Sequence, residues 1–315
     1  MSIKVLKSGL QTTIQDLGRY NQSHFGISSS GAADTLSLKI GNLIVGNKES
    51  ASAIEMTMLG GEFQFKKECI IALSGSEFEV SLDRKTIDYY KAININKGQI
   101  LSFGYTKTGA RAYMCIKGGI DVDNYLSSKS THILSGVGGF LGRPILKGDI
   151  LNMSLDDGLN NQIKFNNILD MNLSKIRITK GLQFKYFKEN VWENFISKTF
   201  TVSNSSNRMG IRLSGNKILS NVHSEIITEG VPLGAIQVPS GGDPIISFVE
   251  HQTTGGYPKI ANVISADMHK VGQLKPGDKF KFDLVSKDEA EDLRIDLVTF
   301  INTVSYTHLT LPTKA

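Results

Sequence analysis

Cysteine is nearly missing: Cys69 and Cys115 are the only two in 315 residues. Cys69 opens an apolar run, Cys115 lies within one, and neither belongs to a paired metal-ligand or redox spacing, so both read as buried free thiols of a reducing compartment. A run of roughly 20 apolar residues is also missing, which excludes a membrane-spanning helix. The start, Met1 to Lys7, turns to Gly and polar residues before a signal-type apolar core forms, and a soluble cytoplasmic protein is expected. No charge sign dominates, with 35 Lys and Arg against 30 Asp and Glu. The lysines are scattered without a basic stripe, so nucleic acid is not an expected partner. No P-loop, no GxSxG elbow and no zinc-spaced His pair occurs, which closes those motif routes to an ATPase, a serine hydrolase or a metalloenzyme.

What is present is a mainly β pattern. A hydrophobic share of 40% and a charged share of 21% suit a globular chain long enough for a large core. Short apolar runs recur about every ten residues between turn residues: Ile3–Leu6, Thr12–Gln15, Ala53–Thr57, Glu62–Phe65, Cys69–Leu73, Phe78–Leu82, Ile100–Phe103 and Ala110–Ile116. Periodic helices are missing between them, which argues against a doubly wound parallel sheet. Two amphipathic helices stand out. One has Asp34 as its cap, Leu36, Ile40, Leu43 and Ile44 on one face, and Gly46 at its end. The other opens on Ser286–Glu289 in capping-box form and carries Ala290, Leu293, Leu297 and Ile301.

The chain also echoes itself. Lys97–Phe103, Lys147–Met153 and Lys275–Phe282 each place a Gly turn before an alternating strand, and Ile3–Gln11 matches Ile176–Gln183. Together these favour two related β halves. The boundaries are residues 1–170, 171–303 and a tail at 304–315 that fits neither pattern and takes His308 with it. The Asn- and Asp-rich stretch Asp156–Asn172 is the expected linker.

The chemistry concentrates between two late strands, in Glu250-His251-Gln252-Thr253-Thr254-Gly255-Gly256-Tyr257-Pro258-Lys259, with Gln237 on the earlier run Ala235–Val238. A carboxylate, an imidazole, an amide, hydroxyls, a phenol and an amine within ten residues exceed what a connection requires. If the strand alternation continues, Glu250 and Gln252 share one side and His251 takes the other. Glu250 could then position water or accept a proton, and Gln252 could bind an amide. Earlier, Gln15, Asp16 and Arg19 stand at a strand end beside Gly18. They form either a clamp for a carboxylate or phosphate or an internal Asp–Arg pair that fixes the turn. The run Ser28–Asp34 leads into the first helix, where its N–H groups receive either an anion or an ordinary cap. Arg208 and Arg212 flank Gly210; as a strand they would share a solvated face while Met209, Ile211 and Leu213 pack inward. Arg111 lies within an apolar strand, where it either crosses to a carboxylate such as Glu55 or points into a cavity.

The segments TTIQDLGR, SSSGAADTLSLKIGNLIVGN, AIEMT, GARAYMCIKGGIDV, SSKSTH, VSNSSNRMGIRLSG, GAIQVPSGGDPI and EHQTTGGYPKIANVISADMHKVGQLKPGD closely resemble the KipA-type proteins. That family is also described as allophanate hydrolase subunit 2 or the biotin-dependent carboxyltransferase family, and it includes the C subunit of bacterial ATP-dependent 5-oxoprolinase. The resemblance runs from Ile3 to about Asp283. It implies two cyclophilin-like β-barrel halves with a few short helices. It also implies work with a KipI-type B subunit and a separate A subunit, opening 5-oxo-L-proline to glutamate with ATP, which the complex rather than this chain could bind. Ring opening needs an activated lactam oxygen, which phosphorylation would supply, and groups that hold the substrate and steady negative charge. On the matching positions, Glu250, Gln252 and Arg208 are candidate catalytic residues. Gln15, Asp16, Arg19, Arg111, Gln237, His251, Tyr257 and Lys259 are candidate substrate-binding residues, and no metal ligand is named. Glu250 stands where relatives more often carry Asp, one methylene shorter. The resemblance leaves two further functions open: a carboxyltransferase component acting on urea or a related amide with carboxybiotin, and a non-enzymatic regulator that binds a KipI-type kinase inhibitor.

Overall fold

The computed structural model describes residues 2–154, 172–220 and 225–306. The expected linker, apart from Asn172, and residues 307–315 of the expected tail, His308 included, lie outside the described residues; residues 304–306 continue the last helix. The described chain forms two compact units, one within residues 1–19, 30–169 and 298–315, the other within 20–29 and 170–297.

The first unit holds a seven-stranded and a five-stranded sheet. In the larger sheet Ser2–Lys7 pairs antiparallel with Ile150–Met153 on one side and Glu62–Phe65 on the other, with Ile3 opposite both Leu151 and Phe65. Alternation sends Ile3, Val5, Phe63, Phe65, Leu101 and Phe103 into one core with Ile14, Ile54, Met56, Leu73, Met114 and Ile116 of the smaller sheet. Ala53–Thr57 and Arg111–Ile116 are buried at every position: a helix, α1 (Thr35–Ile44), covers the face of Arg111–Ile116 away from this core, and the residues ahead of that helix reach Ala53–Thr57, where the Ala33 N–H donates to Glu55. A strand buried on both faces has no reason to alternate. The expected cap of α1 is present: Asp34 accepts the Ser37 N–H at 2.9 Å and the Ser37 hydroxyl at 2.6 Å. Burial pushes the Cys69 thiol up to about 12 and the Cys115 thiol higher still. Neither cysteine is a ready thiolate nucleophile.

The second unit is a closed barrel of seven strands: Lys175–Lys180, Lys259–Val263, Ala235–Gln237, Ile245–Ser247, Gly210–Ser214, Phe200–Val202 and Lys279–Leu284. Six of its seven pairings are antiparallel, and the parallel pairing of Lys175–Lys180 with Lys279–Leu284 closes it. Aromatic rings cluster between this barrel and a helix, with Phe195 stacked on Phe282 at 4.7 Å, Phe200 5.6 Å from Phe195 and Phe280 5.2 Å from Phe282. Phe195 belongs to α2 (Glu189–Ser197), a helix not anticipated from the sequence because nine residues with one buried side chain give little periodicity. The short helix α3 (Met268–Gln273) was likewise not anticipated. In the terminal helix α4 (Lys287–Tyr306), Ser286 Oγ accepts the Glu289 N–H at 3.1 Å, and Ala290, Leu293 and Leu297 pack on Ile264, Ala266 and Val285.

The internal echo is a repeated turn. Gly98, Gly148 and Gly277 have φ of 94°, 97° and 90°. Each donates its N–H to a neighbouring strand, at Phe65, Val5 and Val202.

Candidate functional site

In the first unit, strand Gln11–Gln15 delivers Gln15 and Asp16 to a fastening rather than to an open clamp. The Asp16 carboxylate accepts from the Gly18 N–H, the Ser128 hydroxyl and the Lys129 N–H at 2.7, 2.7 and 2.6 Å, and from the Ser130 hydroxyl. Four donors take up a carboxylate's usual acceptor sites, so Asp16 ties its turn to residues 128–130 and is not presented to a ligand. Arg19 is fully buried; Nη2 donates to the Ser130 carbonyl at 2.6 Å, and its guanidinium lies 5.7 Å from the Tyr125 ring centre. Gln15 is buried too, with Nε2 donating to Thr13 Oγ1 and the Thr131 carbonyl. Glycine is required where the next loop closes over this strap. A Cβ at Gly138 would meet Ser130 O at 2.3 Å and Arg19 Nη2 at 2.8 Å.

Arg111 does face Glu55, as one of the two sequence readings had it: Nε stands 4.0 Å from Glu55 Oε1. The other carboxylate oxygen of Glu55 accepts from the Tyr113 hydroxyl at 2.7 Å and the Ala33 N–H at 2.8 Å, while Tyr113 Oη accepts the Asp34 N–H at 2.8 Å. Burial, then the nearby Glu55 and Asp34, push the Tyr113 hydroxyl well above its ordinary range. This network seats the residues ahead of α1. With the Asp34 carboxylate already capping that helix, the N-terminus has its anion built in, and the cap reading of Ser28–Asp34 holds.

In the second unit the expected solvated arginine face is corrected. The strand begins only at Gly210, so alternation does not reach Arg208 or Met209. Arg212 is exposed as expected, but Arg208 is 4% exposed and Met209 lies outward at 38%. Arg208 Nε donates to Glu250 Oε1 at 2.5 Å, and the Glu250 N–H returns to the Arg208 carbonyl at 2.8 Å. The shared side for Glu250 and Gln252 is corrected as well. Residues 250–252 follow a turn closed by His251 N–H to Phe248 O at 2.9 Å, which buries Glu250 and leaves Gln252 exposed. Half-buried His251 bonds through Nδ1 to the Gln252 carbonyl at 2.8 Å. Burial lowers the imidazole, with that bond opposing, so the ring is neutral at pH 7 and Nδ1 carries the donated proton.

Lys259 is fully buried and binds Glu229 Oε1 at 2.5 Å. The same oxygen accepts Gln183 Nε2 at 2.7 Å, and Gln183 Oε1 accepts the Lys259 N–H at 3.0 Å. The Lys259 ammonium holds the Glu229 carboxyl below its usual range against a smaller burial effect. Gln237 is buried with Nε2 on Ser247 Oγ at 3.0 Å, and Tyr257 is half-buried in the same loop.

One strong ion pair was missed from the sequence. Arg177 donates from Nε and Nη2 to the fully buried Asp267, which also accepts the Arg177 N–H at 2.8 Å. Burial raises Asp267, but the Arg177 bonds and Lys270 outweigh it and hold the carboxyl low. A signal existed in Arg177 between the inward Ile176 and Ile178; its partner, 90 residues away, gave none. Among the described residues no cluster of His, Cys, Asp and Glu could hold a metal ion, and no helix is long and apolar enough to cross a membrane.

Residues 25–284 match the family model described as carboxyltransferase domain, subdomain A and B. The chain is 36% identical over 292 residues to the 5-oxoprolinase C subunit of Haemophilus influenzae, covering 93% of this chain and 94% of that one. It is 35% identical over 296 residues to the 5-oxoprolinase C subunit of Escherichia coli, with the same coverage. The solved structure of the K. lactis urea amidolyase superposes with a TM-score of 0.90 at 32% identity. That match covers 96% of this chain but only 20% of the amidolyase chain.

Proposed function

This chain belongs to the family of the carboxyltransferase domain, subdomain A and B, and on that premise we propose that it serves as the C subunit of an ATP-dependent 5-oxoprolinase. In this reading it works with a KipI-type B subunit and an A subunit to open 5-oxo-L-proline to L-glutamate. One observation carries it. The likeness to the Haemophilus influenzae protein spans both chains almost end to end, 93% of one and 94% of the other.

The roles follow from burial and charge. Arg208 is the cation that steadies negative charge developing on the lactam oxygen, and Glu250 is the group that orients water. Both sit almost without solvent, where fixed charges act more strongly than in water. Arg19 and Arg111 remain candidate anion holders of the first unit. Asp16 acts by keeping its loop in place, and Lys259 by fixing Glu229. ATP does not fit the residues at the one helix start that follows a Ser- and Gly-rich run, because the Asp34 carboxylate stands there and would repel a phosphate. We therefore assign ATP to the companion subunits and the complex as a whole.

A second reading is favoured by the match to the urea amidolyase structure: a carboxyltransferase component that receives urea or a related amide. The two separate in one assay. The chain is combined with the two companion subunits, MgATP and 5-oxo-L-proline, and glutamate release is followed. Release that requires the chain supports the oxoprolinase reading. Release unchanged when the chain is omitted contradicts it, as does carboxylation of urea, in place of release, when urea, bicarbonate and a biotin-carrying partner are added to the same mixture.

A further inference from the structure

Gln237 has an end that the barrel leaves open. Its side chain is 5% exposed, Nε2 donates to Ser247 Oγ, and Oε1 has no hydrogen-bond partner. Because the Ser247 hydroxyl can donate or accept, turning the amide over would only exchange an unmatched oxygen for an unmatched nitrogen. A buried polar atom without a partner is rare enough to call for a reason.

The open end borders Gly255. A Cβ at that position would stand 2.9 Å from Gln237 Oε1, 2.6 Å from Gln252 Nε2 and 3.1 Å from Val231 Cγ2. The backbone of Gly255 is not in the left-handed region, so glycine is needed here for room and not for a turn. The bare backbone keeps an amide acceptor from the end of the strand Ala235–Gln237 and an amide donor from the loop ahead of Thr254–Gly255 side by side.

We propose that Gln237 and Gln252 together read a cyclic amide: Gln237 Oε1 accepts the ring N–H, and Gln252 Nε2 donates to the ring carbonyl. The inference rests on the oxoprolinase reading for the identity of the lactam. A small ring holds its amide cis, so N–H and C=O lie on one edge, whereas a trans peptide points them to opposite sides. A converging acceptor and donor therefore favour a lactam over a linear amide. The two glutamines differ in freedom. Gln237 is pinned by strands on both sides, opposite Ile245 and Lys259, and a register shift between Ile236 and Gln237 re-aims its side chain. Gln252 is exposed and swings aside to admit the ring, beside the ribbon that pairs Glu229–Gly230 with Thr254–Gly255.

The test is an NMR-detected titration of the full chain with 2-pyrrolidinone and with N-methyl-2-pyrrolidinone, which lacks the N–H. Wild type should prefer the parent lactam by about 10- to 100-fold, the penalty for leaving a buried acceptor unmatched. Gln237→Leu should bind both alike while unfolding at the wild-type denaturant concentration. Gly255→Ala, which fills the space, should bind neither, and it keeps the test open should the leucine variant fail to fold. Equal binding of both lactams by wild type, binding of neither, or a preference retained in Gln237→Leu would each overturn the inference. A wild-type complex that keeps the lactam preference but releases no glutamate would refute the oxoprolinase reading alone. Glutamate release without the preference would refute this inference alone.

Discussion

The buried carboxylates of the two units are satisfied in opposite ways. In the first, Asp16 is held by two hydroxyls and two backbone N–H groups, Asp34 by Ser37, and Glu55 by a phenol and a backbone N–H, with the Arg111 Nε at 4.0 Å. In the second, Asp267 is held by Arg177 and Lys270 and Glu250 by Arg208, while the partly exposed Glu229 is held by the buried Lys259. Neutral donors share a charge among several small contributions, whereas a cation carries most of it alone. The first arrangement fails by degrees. The second concentrates its electrostatics in single pairs, the arrangement suited to a site where charge must be met by charge.

The largest effect that would sharpen this contrast is Arg208→Ala. It leaves Glu250 buried without its guanidinium, and the second unit should lose roughly 3–5 kcal/mol of stability along with the turnover of the complex. Trp192, the single tryptophan, lies 5.6 Å from the Phe195 ring and reports that unit's unfolding by its fluorescence. An unchanged midpoint would place the pair among ordinary surface contacts. Asp16→Ala should cost about 1–3 kcal/mol, because each orphaned donor is neutral. The loss should appear in the overall circular-dichroism transition with the Trp192 transition unmoved; a larger loss than that of Arg208→Ala would reverse the comparison. The smallest effect concerns His251. Its imidazole is lowered in the fold, so between the folded value and the ordinary one near 6.5 the unfolded chain binds the extra proton. Stability is then complete above about pH 6.5 and declines as pH falls below it. His251→Gln should flatten that decline below about pH 6.5, measured by denaturant midpoints. A decline of the same steepness in the variant would assign it to other groups.

Much of the architecture was legible because local rules were obeyed. Strands at Ala53–Thr57, Glu62–Phe65 and Phe78–Leu82 have the bounds that turn residues and apolar runs give them. Both amphipathic helices start at the caps their sequences announce, Asp34 and Ser286. Function was less legible, because what decides it is not local. Three of the four donors that occupy Asp16 arrive from 112 to 114 residues away. Arg208 looked solvated because strand alternation was carried two residues too far, and only the pairing with Ile245–Ser247 shows that the strand starts at Gly210. Glu250 and Gln252 part company because a turn, not a strand, follows Phe248. The helix Glu189–Ser197 escaped notice since tertiary packing around Phe195, and not its own periodicity, holds it.

The claim at the centre is that the Arg208–Glu250 pair is kept for chemistry and not for stability. Replacing both partners together, Arg208→Met with Glu250→Leu, removes the buried charges without orphaning either, and such swaps are often neutral or stabilising. Unfolding followed at Trp192, with glutamate release from the reconstituted complex measured on the same preparation, decides the matter. The account predicts a midpoint at or above wild type with release abolished, and a stable double variant that still releases glutamate at the wild-type rate would contradict it.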